Sequence, residues 1–174
     1  FFAPQLTAKM LSNYMEKDVD TELLTLQDDG LVERIPATPE AVEHYRIHDL
    51  AYSYTKAQAT KDQRRKALNE CVSYIRTYKT DFDVLLGSWY TIMGAAQAAT
   101  ELDRPEALPV IMRVLADDGG YIETHGASPA VIELMNAAIS FSENKELSET
   151  ADFLLGKLGN IYALYRGELE NGLN

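Results

Sequence analysis

The chain contains little cysteine and no long uncharged segment. Its single cysteine excludes an internal disulfide. Cys71 lies in the apolar helical pattern LNECVSYI, which predicts a buried and unreactive thiol. The longest uncharged run, residues 84–100, is shorter than the ~20 apolar residues of a membrane span. It also contains Gly, Ser, Thr and Gln, so we expect a buried helix there.

Basic residues are also scarce. The chain has 16 Lys and Arg residues and 27 Asp and Glu residues, which gives a formal net charge of -11. A protein that binds nucleic acid needs a basic face to neutralise phosphates, so this charge disfavours nucleic acid as the main partner. The free thiol predicts a reducing, cytoplasmic location. The opening FFAPQLT has no basic stretch and no initiator methionine, so we expect part of a longer protein and no signal peptide.

Recognisable catalytic patterns are missing from the sequence. No serine stands in G-x-S-x-G, and no cysteine–histidine set has zinc spacing. Nothing matches G-x-x-x-x-G-K-[ST], the loop that cradles nucleotide phosphates. We therefore expect no catalytic residue, no metal site and no resident cofactor, and we expect that the chain is not an enzyme.

The first 55 residues predict short elements of two kinds. Thr7 is placed to cap a first helix and Gly30 to end a second, in which Leu23, Leu24 and Leu26 are expected to face inward. LVERI and EHYRIH alternate apolar and polar residues as strands do, and the two prolines of PATPEAV place a loop between them. Helix, helix, strand, loop, strand is the order of a winged helix, which we assign to residues 1–55.

The remainder of the sequence predicts helices only. Residues 56–80 read as a connecting helix, in which Leu68, Val72 and Ile75 recur at helical spacing. DFDVLLGSWYTIMGAAQAA is apolar nearly all round and predicts a buried helix. Pro105 and Pro129 are placed to begin later helices as first-turn prolines. Alternating helices joined by short polar turns predict a helical-hairpin stack over residues 81–174.

A glycine-bearing pattern near the C-terminus suggests the kind of stack. LLGKLGNIYALYRG is similar to the first helix of a tetratricopeptide repeat, with Leu158, Gly159, Tyr162 and the turn glycine Gly167 in corresponding places. Gly126 is expected to close an earlier long helix in the same way. The turn glycine comes one residue late, and the period exceeds the usual ~34 residues, so the helices should be longer than in that family.

The fold expected from these patterns is mainly α: a small winged-helix domain followed by a tetratricopeptide-like helical-hairpin solenoid. Solenoids bind proteins or peptides on a concave surface, so Tyr121, Tyr162 and Tyr165 are candidates for lining a partner groove. The alternative is that these tyrosines pack between helices, as aromatic residues at helical spacing usually do.

The stretch YRIHDL stands between the predicted winged helix and the helical stack. It resembles the Met-His-Asp motif that closes the winged-helix part of STAND-type (NB-ARC) signalling ATPases, with Ile47 in place of methionine. The resemblance covers the whole chain in order. It implies that His48 contacts a phosphate of ADP held by a separate, upstream nucleotide-binding domain, and that Asp49 fixes the motif and caps the next helix. Without the resemblance, His48 is a strand-end histidine and Asp49 a helix cap.

Taken together, the sequence predicts a non-catalytic regulatory and protein-interaction fragment of a STAND-like signalling ATPase or transcriptional regulator. ADP or ATP with Mg would belong to the parent protein, and the repeats would sense a partner. The alternative is a DNA-binding winged-helix transcription regulator with a helical effector domain. Its reading helix, DVDTELLTLQDDG, has no Lys or Arg, and the wing offers only Arg34 and Arg46. The basic run of residues 56–66 is expected to be a solvated face.

Overall fold

A computed structural model describes residues 2–38 and 42–165, except for the side chains of residues 164 and 165. Within these ranges the chain is mainly α, with ten helices and one three-stranded sheet. It divides into two compact units, Phe1–Ala98 and Ala99–Asn174. The division after Ala98 does not coincide with the domain boundaries that the sequence predicts near residues 55 and 80. Those boundaries stay predictions.

The first unit holds the sheet and six helices of the described chain. Its elements are β1 (Gln5–Leu6), α1 (Ala8–Met15), α2 (Asp20–Asp28), β2 (Val32–Ile35), β3 (His44–Ile47), α3 (Asp49–Gln58), α4 (Lys61–Thr77), α5 (Phe82–Gly87) and α6 (Trp89–Ala98). The second unit holds α7 (Ala107–Leu115), α8 (Tyr121–His125), α9 (Pro129–Asn144) and α10 (Ser148–Tyr165).

The predicted cap of the first helix and the predicted end of the second are confirmed, whereas the second helix begins after Val19 and not at a capping Asp20 or Thr21. The Thr7 hydroxyl accepts a hydrogen bond from the Met10 amide at 3.2 Å at the start of α1. Gly30 follows α2 with a φ of +71°, a conformation that favours glycine. Leu23 is buried as expected, but Leu24 is 56% exposed, so its inward orientation was wrong. Only one stripe of α2 packs on the sheet, and Leu24 lies outside it.

The sheet is antiparallel, in the order β1-β3-β2. The β2–β3 pairing runs from Val32 opposite Ile47 to Ile35 opposite His44, which confirms both predicted strands. The two-residue strand β1 pairs with the other edge of β3, and sequence periodicity could not reveal an element this short. The core beneath the sheet consists of Val19, Leu23, Val32 and Tyr45, with Leu6, Ala8, Leu11, Leu26 and Ile47 packed against it.

The chain start is fastened to distant segments of the same unit. The Pro4 carbonyl accepts a hydrogen bond from the Ile47 amide at 2.7 Å. The Thr91 hydroxyl of α6 donates to the Gln5 carbonyl at 2.8 Å. These bonds fasten the segment of β1 to β3 and to α6.

The prediction of a single apolar helix after residue 80 was wrong, because the segment is broken into α5 and α6 at Ser88. Ser88 is buried, and its hydroxyl lies 3.1 Å from that of Tyr74 and 3.3 Å from that of Thr7. Gly87 lies so close to Val42 that a Cβ would collide with it. The break thus turns a polar group toward buried partners that a continuous helix would miss. The thiol of Cys71 on α4 is buried, as predicted.

In the second unit α9 and α10 pack on each other, and α7 packs on both. Ser128 caps α9 ahead of Pro129, as predicted. Pro105 does not begin α7, which starts at Ala107 after a turn. The core of this unit includes Leu108, Ile111, Met112, Leu115, Val131, Met135, Ala138, Leu154, Leu158 and Ile161.

Gly126 has a φ of +83°, as a turn glycine should, but it ends the five-residue helix α8 and not a long one. The reason is the segment LADDGG, where Gly119 adopts a φ of +64° and interrupts the helical path before α8. Gly167, its proposed counterpart, lies outside the described residues. None of the described helices is both long and apolar enough to cross a membrane.

Candidate functional site

His48 occupies the junction between β3 and α3. Its backbone amide donates to the Leu31 carbonyl at 2.9 Å, which ties the junction to the start of β2. Its ring nitrogen Nδ1 accepts a hydrogen bond from the Leu50 amide at 3.3 Å. The histidine is therefore fixed through both its backbone and its ring, while its side chain stays exposed.

The helix cap at this junction is His48 and not Asp49, which corrects the sequence prediction. Asp49 is the first residue of α3, and the extended conformation of His48 sets the helix start. The ring takes the place of the hydroxyl or carboxylate that usually accepts the first free amides of a helix. The exposed Asp49 carboxylate lies in the first turn, where the helix dipole favours a negative charge.

This cap determines which ring nitrogen carries the proton. Because Nδ1 accepts a hydrogen bond, the network assigns the proton of the neutral imidazole to Nε2. His48 is exposed, and Nε2 is the ring nitrogen left to donate a hydrogen bond. A single neutral donor of this kind suits a phosphate oxygen.

The surface on one side of His48 is polar. Arg34 and Arg46 line a depression there together with Glu33 and Asp49. The Arg46 guanidinium donates to Glu33 at 2.5 Å, and Arg34 donates to Glu43 at 2.6 Å. These hydrogen bonds raise the pKa of each arginine, and both arginines of the β2–β3 hairpin are engaged in ion pairs.

The surface on the other side of His48 is apolar. Leu31, Leu50 and Tyr54 are all exposed, Leu50 by 76% and Tyr54 by 68%, and they line a second depression that also reaches His48. We call these three residues the exposed apolar patch. Large apolar side chains grouped on a surface commonly mark a site of contact with another protein surface.

The helix that would read DNA in a winged helix is α2, and its described charges are acidic. Asp20 and Glu22 occupy its first turn, no basic residue occupies its last turn, and Asp28 ends it. Glu22 accepts a hydrogen bond from Lys17, which lowers the pKa of Glu22. Negative charge on this face repels phosphate.

The three candidate groove tyrosines are placed differently from one another. Tyr121 is 5% exposed, and its ring stacks on His125 with centroids 4.3 Å apart, so it is a packing residue and cannot line a groove. Burial raises the pKa of Tyr121. Tyr162 is half-buried on α10. The side chain of Tyr165 lies outside the described residues. His48 and Asp49 line the same depression, whereas Tyr121 is buried, and the roles predicted for these residues stay predictions.

Two features of the first unit were not predicted from the sequence. One is the buried set of hydroxyls formed by Thr7, Tyr74 and Ser88. The other is a cavity beside Cys71. The position of Ser88 inside an apolar run could have indicated the buried hydroxyls. Nothing in the sequence indicated the cavity.

No group of histidine, cysteine and acidic side chains suited to a metal ion occurs among residues 2–38 and 42–165. Comparison of the chain with models of protein families, with curated proteins and with solved structures finds no match.

Proposed function

We propose that the chain is a non-catalytic, regulatory part of a STAND-like signalling ATPase. The first unit would be a winged-helix domain that couples the helices of the second unit to a nucleotide-binding domain. In this proposal His48 donates a hydrogen bond to a phosphate of ADP bound on that domain. The bond would hold a resting state, and its loss would favour the active state.

The proposal is supported first by the arrangement of the first unit. Two helices, α1 and α2, are followed by the hairpin β2–β3, and β1 completes a three-stranded antiparallel sheet. A winged helix has this order of elements, with the β2–β3 loop as its wing. The His–Asp pair follows the last strand directly, as the resemblance requires.

The observation that carries the proposal is the state of the His48 ring. The Leu50 amide orients the ring of this exposed histidine, and the ring nitrogen not used for the cap is assigned as an N–H donor. Orientation before binding lowers the cost of making a hydrogen bond to a ligand held elsewhere.

The exposed apolar patch supplies the second requirement, a surface against which another domain can rest. Leu50 and Tyr54 lie on α3 directly after His48, and Leu31 precedes β2. Covering these side chains would bury apolar area and bring His48 to the covering domain. The patch would thus dock the nucleotide-binding domain while His48 contacts its ligand.

In the second unit, the α9–α10 hairpin with α7 is the candidate sensor. These helices form one core, and the half-buried Tyr162 is the remaining described residue of the predicted groove. We propose that a protein or peptide partner binds this unit. The acidic composition of the chain favours a basic partner.

The test separates helix capping from ligand contact in the parent protein. His48→Asp keeps a side chain that caps helices well and removes the donor, whereas His48→Ala removes both. We expect both variants to release ADP faster than wild type, with only His48→Ala losing stability. His125→Ala, which changes an exposed histidine of the second unit, is the matched control. ADP retention equal to wild type in His48→Asp would refute the role of His48.

A DNA-binding regulator is the second candidate function. It has the same winged-helix arrangement in its favour, but α2 is acidic and Arg34 and Arg46 are in ion pairs. A mobility-shift assay with duplex DNA at physiological salt decides between the two, because binding there would require a basic surface that α2 does not offer.

A further inference from the structure

The first unit has a cavity of about 330 Å³, partly open to solvent, between α1, α3 and α4, with β1 at one end. The volume falls at the lower end of the range for small-molecule sites, roughly 300–1,000 Å³. The cavity is independent of His48, which does not line it, and nothing in the coupling role proposed above requires it.

The walls of the cavity are apolar and aromatic. Tyr14 of α1, Tyr52 of α3 and Tyr74 of α4 contribute rings, and Met10 contributes a thioether. Tyr14, Tyr52 and Met10 are only half-buried, although they belong to the packed side of the unit. Their remaining exposure is the surface that a ligand would cover, and a flexible methionine adapts to irregular shapes.

One charged residue lines this cavity, and it is acidic. Glu70 lies on α4 beside the buried Cys71. Within the described part of the chain, its carboxylate makes no ion pair and no hydrogen bond to another side chain. The Cys71 thiol cannot supply a competing charge, because burial raises its pKa to about 12.

An acidic group beside aromatic rings recognises a particular ligand chemistry. A carboxylate pairs with an ammonium group, and aromatic faces attract cations through their quadrupoles. The negative charge of the whole chain also raises the local concentration of cations. We propose that the cavity is a binding site for a small lipophilic amine, with its ammonium group at Glu70 and its apolar body against Tyr14, Tyr52 and Met10.

Lys66 provides an internal check on this proposal. It lies one helical turn before Glu70, and its ammonium group is 5.1 Å from the centroid of the Tyr14 ring. Its positive charge opposes an incoming amine. Substitutions at Lys66 and Glu70 should therefore change amine affinity in opposite directions, whereas a general loosening of α4 would weaken binding in both variants.

The experiment is a calorimetric titration of the full chain with phenethylamine, phenethyl alcohol and phenylacetate, which share a ring and differ in charge. Phenethylamine should bind best. Glu70→Gln should weaken its binding about tenfold, the effect of losing one charged hydrogen bond, and leave the alcohol unchanged. Lys66→Gln should tighten amine binding by about two- to threefold, the range of an exposed charge interaction.

Ala67→Leu, which fills the cavity from α4, should abolish binding of all three probes. Glu133→Gln, at an exposed position of α9, is the matched charge control and should change nothing. Thermal unfolding of each variant verifies that it is folded. Saturable binding of the alcohol or of phenylacetate equal to that of the amine would overturn the proposal in favour of an uncharged or anionic ligand. Absence of saturable phenethylamine binding would overturn it outright.

Discussion

The hydroxyl of Tyr74 lies 3.1 Å from the hydroxyl of Ser88, and both residues are 1% exposed. This contact joins the last turn of α4 to the break between α5 and α6. The Thr7 hydroxyl, 3.3 Å from that of Ser88, extends the group to the start of α1. Three separate segments of the first unit therefore meet through buried hydroxyls.

Removing the Ser88 hydroxyl should destabilise the first unit. Ser88→Ala leaves the Tyr74 hydroxyl buried without this partner, which costs about 1–3 kcal/mol in the free energy of unfolding. Tyr74→Phe removes the other member of the pair, and the double variant should cost less than the sum of the two. A double-mutant cycle measured by urea unfolding tests this, and strictly additive effects would show that the two hydroxyls do not interact.

Gly94 of α6 should not tolerate alanine, although alanine is the better helix former. A Cβ at this position would lie closer than 3.0 Å to the backbone carbonyl oxygen of Phe2. Gly94→Ala should therefore lower the free energy of unfolding by about 1–3 kcal/mol, as overpacking does.

Gly156→Ala in α10 is the control for the alanine at Gly94, because no atom lies within 4 Å of a Cβ there. It should raise stability by about 0.5–1 kcal/mol through helix propensity alone. Thermal unfolding by circular dichroism measures both changes. Equal stabilisation by both substitutions would contradict the close approach of Phe2 to α6.

The ion pairs of Lys157 should make the second unit less stable at high pH. Its ammonium group donates to Asp118 at 2.5 Å and lies 3.5 Å from Glu123. The hydrogen bond to Asp118 is the main cause of the raised pKa of Lys157. Since the folded pKa exceeds the unfolded one, the contribution is complete below about pH 10.4 and is lost as the pH rises through the folded value.

Lys157→Met tests this, because the variant lacks the titrating group. At pH 8 it should be less stable than wild type by about 1 kcal/mol or less, since Asp118 is exposed and water screens the pair. The difference between the two proteins should shrink between pH 10 and pH 12. Both proteins contain the same tyrosines, so the titration of the tyrosines cancels in the difference in stability between wild type and Lys157→Met. A difference that does not change with pH would assign the effect to the packing of Lys157 on Phe153.

Cys71 should react with thiol reagents only when the first unit opens. It is 4% exposed, and burial raises its pKa to about 12, so little thiolate exists at pH 8. Ellman's reagent should label the folded chain at least about 100-fold more slowly than the urea-unfolded chain. Because it is the only cysteine in the chain, the signal reports one site. Similar rates in the two states would contradict its burial.

The sequence predicted those elements whose periodicity is local and missed those fixed by distant partners. The spacing of Leu68, Val72 and Ile75 identified α4, and a cap followed by proline identified the start of α9. The break at Ser88 was not predicted, and the hydroxyl of Ser88 contacts Thr7, which lies far away in the sequence.

The candidate site, too, could be predicted from the sequence only in part. The sequence alone shows that His48 and Asp49 are adjacent, and it predicts a helix directly after them. Which of the two caps the helix depends on backbone angles, and local preference favoured aspartate. The burial of Tyr121 depends on packing within the second unit, so a list of tyrosines at helical spacing could not separate packing residues from surface residues.

The hydrogen bonds that hold the segment of β1 affect the order in which the first unit folds during synthesis. β1 is synthesised before the partners of the hydrogen bonds that fasten it, which are Ile47 of β3 and Thr91 of α6. Such long sequence separations slow folding, because a large loop must close before the contact forms. Strand β1 is therefore made before its partners and placed after them, and the first unit completes its fold only once α6 has emerged.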